Sequence, residues 1–374
     1  MARILVVAGF PSSLVNFRGP LIEALIAHGD EVHAAGPSAD DATLAWLGTR
    51  GVRYHVVELD RTGFFVTVDV KTVFALRRIM LSLRPDLVFA YTIKPVIYGT
   101  VAAASAGVKR RFALITGLGF AFTDGDRSMR RLVARGIALP LYALALRLVT
   151  GAFFQNPDDA RLFQEKKLVP ARLDPIVVNG SGVDLDQFVV TPVPRDVRFL
   201  MIARLVADKG VREFVDAARR VKKAHPDVVF DLVGPEDLNP AAIPANLIAD
   251  AVKDGVIVFH GEAKDVRVFL NAALVYVLPS YREGTPRTVL EAMATGRAVI
   301  TTNAPGCRET VVDGHNGLIV PVRDVPALTR AMERFIEDPS LAERMGRRSR
   351  EICEDKYDVK KVNAEMLRHM GLDR

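Results

Sequence analysis

Two Rossmann-like α/β domains, each a doubly wound parallel sheet, are the architecture this sequence predicts. Length is the first observation behind it. A chain of 374 residues exceeds one ordinary core, and two domains of about 150–200 residues are the natural division. The second is an alternation of short apolar runs with longer helical patterns. The third is that this alternation restarts in the second half of the chain.

Arg3–Ala8 (RILVVA) is a continuous apolar run, the pattern of a strand covered on both faces. A helix follows around Pro20–His28. Glu31–Ala35, Arg53–Val57 and Leu87–Ala90 extend the strand series, with helical stretches near Ala42–Arg50 and Val70–Leu83 between them. Such βαβα alternation predicts a parallel sheet with helices on both faces. Val189–Asp196 (VVTPVPRD) has two prolines and no apolar periodicity, so it reads as a linker. Strands are expected again at Arg198–Ala203, Val228–Val233, Val256–Phe259, Leu274–Leu278 and Ala298–Thr301. The expected division is therefore 1–190, 191–355 and a tail, 356–374, whose helix Val359–Met370 packs back on the first domain. No sequence repeat relates the halves. Two such domains would leave a cleft outside their facing strand carboxyl ends, where open α/β sheets bind ligands.

Composition narrows the class. Hydrophobic residues at 49% and charged residues at 25% are the proportions of a soluble globular protein. Two cysteines, Cys307 and Cys353, make no disulfide framework, which points to a reducing cytoplasm. The start, MARILVVAGF, runs straight into a strand pattern, so no signal peptide is expected. Residues 1–190 carry 22 Lys and Arg against 17 Asp and Glu, and so most of the net +6. The dense basic runs are Lys109-Arg110-Arg111 and Arg127, Arg130, Arg131 and Arg135. They suit phosphates or acidic lipid heads. Without aromatic interleaving or a helix-turn-helix pattern, no nucleic-acid partner is expected. The second run leads into Gly136–Leu146, 11 uncharged residues broken by Pro140, against about 20 needed to cross a bilayer. That segment reads either as a core helix or as one lying on an anionic membrane surface. The seven histidines are scattered without ligand spacing, so no metal is expected. Asp124-Gly125-Asp126 reads as a turn rather than a carboxylate pair.

Chemistry concentrates in Leu278–Asp313 (LPSYREGTPRTVLEAMATGRAVITTNAPGCRETVVD). A strand ends at Leu278 and a loop follows with Gly284. Thr285 is the expected N-cap of a helix with Pro286 in its first turn, ending at Gly296. The free N–H groups and positive dipole end of such a helix suit a diphosphate. Glu283 precedes the helix and Glu291 follows eight residues later. A carboxylate on the buried side of the helix can accept hydrogen bonds from two vicinal hydroxyls, as a ribose requires.

This Glu-x7-Glu segment, followed by GCRE and DGHNGLIV, resembles the family 4 retaining glycosyltransferases of the GT-B fold. The resemblance implies that Glu291 binds the ribose of a nucleotide-sugar donor and that Glu283 faces the transferred sugar. Gly284, Thr285, Pro286 and Arg287 would line the sugar and diphosphate. MIARLVADKG (201–210) is similar to the family's turn in which an Arg and a Lys, here Arg204 and Lys209, grip the diphosphate. Two fixed cations can neutralise a departing diphosphate. AGFPSSLVNFRGPLIEAL (8–25) resembles the loop after the first strand, with Gly9 near the donor and Arg18 on the acceptor side.

AYTIKPVIYGTVAA (90–103) and ITGLGFAFT (115–123) are similar to the PglA-like sub-group, which extends lipid-linked oligosaccharides and bacterial surface polysaccharides. Lys94, Gly117 and Gly119 match its pattern. Ile93 departs from it where several relatives carry histidine, which passes that role to Lys94, Thr92 or backbone. The resemblance implies metal-independent, retaining transfer of a hexose or N-acetylhexosamine from a UDP-sugar, with no cofactor. It further implies a polyprenyl-diphosphate-linked saccharide acceptor and peripheral attachment to the inner face of the plasma membrane. GDP-mannose as donor, an epimerase on the same fold, and a non-catalytic scaffold are the alternatives.

Overall fold

β-Branched and aliphatic residues without interruption, as in RILVV, have no solvated face to offer, so they form strands at the centre of a covered sheet. The computed structural model describes residues 1–59, 66–117, 129–237 and 241–372, with the side chains of 66 and 129–135 outside the description. The first sheet comprises β1 (Arg3–Val7), β2 (Glu31–Gly36), β3 (Arg53–Val56) and β4 (Leu87–Tyr91). It continues with β5 (Arg110–Ile115), β6 (Gly151–Phe154) and β7 (Ile176–Val177). Their spatial order is β3-β2-β1-β4-β5-β6-β7, all parallel. The second sheet comprises β8 (Arg198–Ile202), β9 (Val229–Val233) and β10 (Val258–Phe259). β11 (Val275–Leu278), β12 (Ala298–Thr302) and β13 (Gly317–Val320) complete it. It too is parallel, in the order β10-β9-β8-β11-β12-β13.

Both sheets are doubly wound. In the first, the chain moves outward from β1 to β3 and then returns to lay β4 on the other side of β1. In the second, β11 takes the equivalent place beside β8. Each sheet therefore has a switch point where the loops leaving two central strands diverge, β1 and β4 in one, β8 and β11 in the other. Ligands of open α/β sheets bind at such points.

The chain divides into two units, one holding the residues up to Ser181 and those from Val359, the other Gly182–Asp358. Val183 and Phe188 lie in the core of the second unit. Arg297 explains why the proline-rich stretch is not loose. It is fully buried, and its guanidinium donates to the carbonyls of Leu270, Thr191, Pro192 and Asn271. Burial lowers its pKa to about 10. The segment read as a linker is thus clamped into the second unit. Val362 and Met366 of the C-terminal helix Val359–His369, with Met370 just after it, join the core of the first.

Two basic features resolve differently from their sequence appearance. Arg110 and Arg111 open β5, where they donate to the carbonyls of Met370 and Leu148. They are structural cations rather than a phosphate patch. The apolar 136–146 segment lies in the helix Met129–Leu148, with Ala138, Tyr142, Ala145 and Leu146 in the core. Ile137 and Leu144 are exposed on its other side. No described helix is long and apolar enough to cross a membrane.

Candidate functional site

The second unit's switch point is built from two loops. β8 ends at Ile202 and leads through Arg204 to a short 3-10 turn, Ala207–Lys209. Gly210 then takes φ 76° and opens the helix Val211–Ala224. A Cβ at Gly210 would lie 2.1 Å from the carbonyl oxygen of Pro279, so only glycine lets the β8 loop pass this close to the β11 loop. Backbone stitches the two together. The Asp208 carbonyl accepts from the Tyr281 N–H at 2.8 Å and from the Ser280 hydroxyl at 3.0 Å.

This packing brings Lys209 and Glu283 together across 74 residues of sequence, with Nζ donating to Oε1 at 2.5 Å. Both side chains are largely buried. Glu283 is held from behind as well. Its N–H donates to the Pro305 carbonyl at 2.9 Å, and a Cβ on Gly306, whose φ is 80°, would stand 2.3 Å from the Glu283 carbonyl oxygen. Arg204 is half exposed and donates to Asp237 at 2.9 Å. Asp237 follows β9, and no local sequence signal marked it.

The helix begins one residue later than the sequence suggested. Pro286, not Thr285, is its N-cap, because Pro286 holds an extended ψ of 109° and the first helical residue is Arg287. Arg287–Ala294 forms the helix and Gly296, at φ 78°, terminates it. Tyr276 ties the helix to the strands, its hydroxyl donating to the Ile202 carbonyl at 3.1 Å and lying 2.6 Å from the Thr288 hydroxyl. Glu291 is only 6% exposed, and the Arg287 guanidinium sits 2.8 Å from its carboxylate. Burial raises its pKa, and Arg287 opposes that rise without cancelling it. Cys307 lies beside Glu283 but is no nucleophile. Burial first, and the Glu283 charge second, push its thiol up to about 12.

The arrangement offers an anchored cation, a buried carboxylate able to accept from a diol, and a helix N-terminus, all at one sheet's switch point. Glu283, Gly284, Thr285, Arg287, Lys209 and Glu291 are brought together there, with Arg204 on the same β8 loop.

In the first unit, Gly9 follows β1 and Lys94 follows β4, so both stand at that sheet's switch point. A Cβ on Gly9 would come 3.1 Å from the Thr92 hydroxyl and 3.3 Å from Pro95. Thr92 itself holds φ 68°, rare for a branched residue. Lys94 is buried and donates to Asp69 at 3.0 Å. Arg18 is also buried, with its guanidinium 5.2 Å from the Tyr91 ring centroid. Gly117 ends the described stretch after β5 at φ 99°. Gly119, Arg127 and the Asp124–Asp126 turn lie outside the described residues, as do the side chains of Arg130, Arg131 and Arg135. Among the described residues no group of three His, Cys, Asp or Glu side chains is placed to hold a metal.

Two Rossmann-like parallel sheets, each with a switch point between its central strands, place the protein in the GT-B class. Sequence comparison agrees. The family described as Glycosyl transferases group 1 matches residues 184–352, and the Glycosyl transferase 4-like domain matches 18–182. The chain belongs to the group 1 glycosyltransferases and is a glycosyltransferase enzyme. Among curated proteins it is 28% identical over 345 residues to the N,N'-diacetylbacillosaminyl-diphospho-undecaprenol alpha-1,3-N-acetylgalactosaminyltransferase of Campylobacter jejuni, covering 88% of each chain. It is 27% identical to the UDP-Gal:alpha-D-GlcNAc-diphosphoundecaprenol alpha-1,3-galactosyltransferase of Escherichia coli, covering 73% of this chain and 72% of that one. The fold matches that of Anabaena HepE, solved in complex with UDP and glucose, with a TM-score of 0.78 at 19% identity over 99% of this chain and all of the other.

Proposed function

We propose that the protein transfers a hexose or N-acetylhexosamine, with retention, from a UDP-sugar to a polyprenyl-diphosphate-linked saccharide in bacterial glycan assembly. The observation that carries this reading is the convergence of Lys209, Glu283 and the start of the helix Arg287–Ala294 at one switch point. The two curated relatives act on undecaprenyl-diphosphate-linked sugars, and one of them takes its sugar from UDP. Both form alpha-1,3 linkages, which from an α-linked UDP-sugar requires retention.

In this reading Glu291 accepts both ribose hydroxyls. Lys209, Arg204 and the N–H groups of Gly284, Thr285 and Arg287 stabilise the diphosphate as its bond to the anomeric carbon breaks. The acceptor oxygen forms its bond to that carbon on the same face, and its proton passes to the departing phosphate oxygen. Glu283, fixed by Lys209 and by Pro305, orients the sugar. Metal is not required, because side-chain cations and the helix end carry the charge. Arg18, Lys94 and Gly117 serve the acceptor side, and Gly9 the donor. Ile137 and Leu144, with the basic residues that precede them, support a peripheral position on the membrane's inner face.

The test is transfer to synthetic undecaprenyl-diphosphate N-acetylglucosamine from a panel of UDP-hexoses and UDP-N-acetylhexosamines, with chelator present. The anomer of the product is read by NMR. An α product formed without metal is expected. A β product would remove the retaining mechanism, and transfer from GDP-mannose alone would replace the donor. An altered sugar released without acceptor would make the protein an epimerase.

A further inference from the structure

Lys94 has a partner that no motif identified. Asp69 stands in the first turn of the helix Val66–Leu83, where the positive dipole end favours a carboxylate. It accepts from the Lys94 ammonium at 3.0 Å, and the pair is almost completely buried, with side-chain exposures of 4% and 10%. The Tyr98 hydroxyl lies near Asp69, whose charge joins burial in raising the tyrosine pKa. Lys94 itself sits immediately before the π-helical turn Pro95–Gly99, two residues after the left-handed Thr92. π-Turns and strained non-glycine residues cluster at functional sites. The placement at the first sheet's switch point is an independent observation in the same direction.

A buried ion pair contributes little net stability compared with well-packed apolar side chains of the same volume. Its charge balance is more informative. Lys209 is also paired with a carboxylate, but Arg204 and the start of the helix Arg287–Ala294 stand with it to meet the charge of a diphosphate. A lysine matched by a buried carboxylate forms a neutral site that still presents a strong, oriented N–H donor. Such a donor suits an uncharged hydroxyl.

We infer that Asp69 is a positioning residue that, with Tyr98 beside it, holds Lys94 as a reader of a saccharide hydroxyl at the first unit's switch point. This rests on the reading that the protein transfers sugar between saccharides with Lys94 at the site. It assigns the pair to recognition of a neutral sugar rather than of phosphate.

The experiment compares wild type with Asp69→Asn, Tyr98→Phe, Lys94→Met and the Asp69→Asn/Lys94→Met double variant. For each, kcat/KM is measured for donors and for acceptor saccharides that differ by one epimeric or deleted hydroxyl. The ratio of two such constants on one preparation does not depend on how much protein is folded, so a purely structural role leaves it unmoved. The preference among either donors or acceptors is expected to fall about tenfold in Lys94→Met and in Asp69→Asn. The double variant should be no worse than the poorer single one, because the two act as a unit. Tyr98→Phe keeps both charges, is the variant read should Asp69→Asn fail to fold, and should show a smaller fall. Binding of UDP alone should be unchanged in all of them. Wild type that transfers no sugar refutes the functional reading itself, whereas transfer by wild type with Lys94→Met keeping every ratio overturns this inference alone. Lost selectivity in Lys94→Met with full selectivity in both Asp69→Asn and Tyr98→Phe overturns only the positioning role. A fall in UDP binding assigns the pair to phosphate and overturns the inference.

Discussion

Glu291→Gln isolates the proposed ribose contact, because it keeps the shape of the side chain and removes only its charge. The carboxylate is almost sealed from solvent, 2.8 Å from Arg287, and burial raises its pKa above the ordinary 4.5. Two hydroxyl donors to a buried anion, partly retained by the amide oxygen of glutamine, correspond to a loss of about 2–3 kcal/mol. Affinity for UDP should therefore fall roughly 30- to 150-fold. A UDP concentration of 100 times the wild-type dissociation constant stabilises the folded enzyme by about 2.7 kcal/mol, whereas a hundredfold weaker variant would gain only about 0.4 kcal/mol. Titration calorimetry and thermal unfolding with and without UDP read the two numbers separately. The pH dependence follows from the same shift. A raised folded-state pKa means that the ionised carboxylate costs the free protein stability above that value, a cost that disappears as pH falls and the group takes up its proton. In the proposed contact UDP requires the ionised form, so wild-type affinity should weaken as pH falls below that raised pKa. The same limb should be absent in Glu291→Gln. Equal UDP affinity in the two proteins would refute the ribose assignment. A loss seen with UDP but not with uridine would move the contact to the phosphates.

Lys209→Met removes the cation held at Glu283 and should lower kcat about 100- to 1,000-fold with a smaller effect on KM, measured as steady-state transfer. Gly306→Ala drives a Cβ into the Glu283 carbonyl from a left-handed backbone, so both stability and transfer should fall, the former by about 2–4 kcal/mol in denaturant titration. Arg297→Met removes the donor to four carbonyls, one bond buried and three part-buried, and should cost about 1–3 kcal/mol while leaving kcat per folded molecule unchanged. Ile137→Asp with Leu144→Asp should reduce co-flotation with anionic vesicles and leave the unfolding midpoint nearly unaltered, since both side chains are exposed. Undiminished flotation would remove the membrane contact.

What the sequence disclosed and what it hid follow one physical division. Covered strands such as Arg3–Val7 and Val275–Leu278 announce themselves because burial on both faces leaves an unbroken apolar run. Glu283, Gly284 and Glu291 were legible because a strand, a turn and a helix start lie within fifteen residues, and their spacing is local chemistry. Partners that arrive through the fold were not. Asp69 lies 25 residues from Lys94, and Asp237 lies 33 from Arg204, in segments with no motif of their own. β5 hid behind its first two arginines, whose charge looks like surface until their carbonyl partners are known. Arg297, in a stretch of ordinary GRAVI sequence, gave no hint of complete burial, because an arginine satisfied by carbonyls and a threonine hydroxyl has no acidic counterpart to betray it. The N-cap shifted from Thr285 to Pro286 because capping propensity was outweighed by the extended backbone that proline holds there.

The two glycine contacts that bind the β8 and β11 loops and back Glu283 have a consequence for changing what this enzyme accepts. At Gly210 and Gly306 the frame of the site is main chain against main chain, so its geometry does not depend on how neighbouring side chains repack. Substrate choice and catalytic scaffolding are then separable variables. A mutational library confined to side chains that reach the sugar, with those two glycines held constant, should sample new specificities while most of its members keep the unaltered seat for the nucleotide.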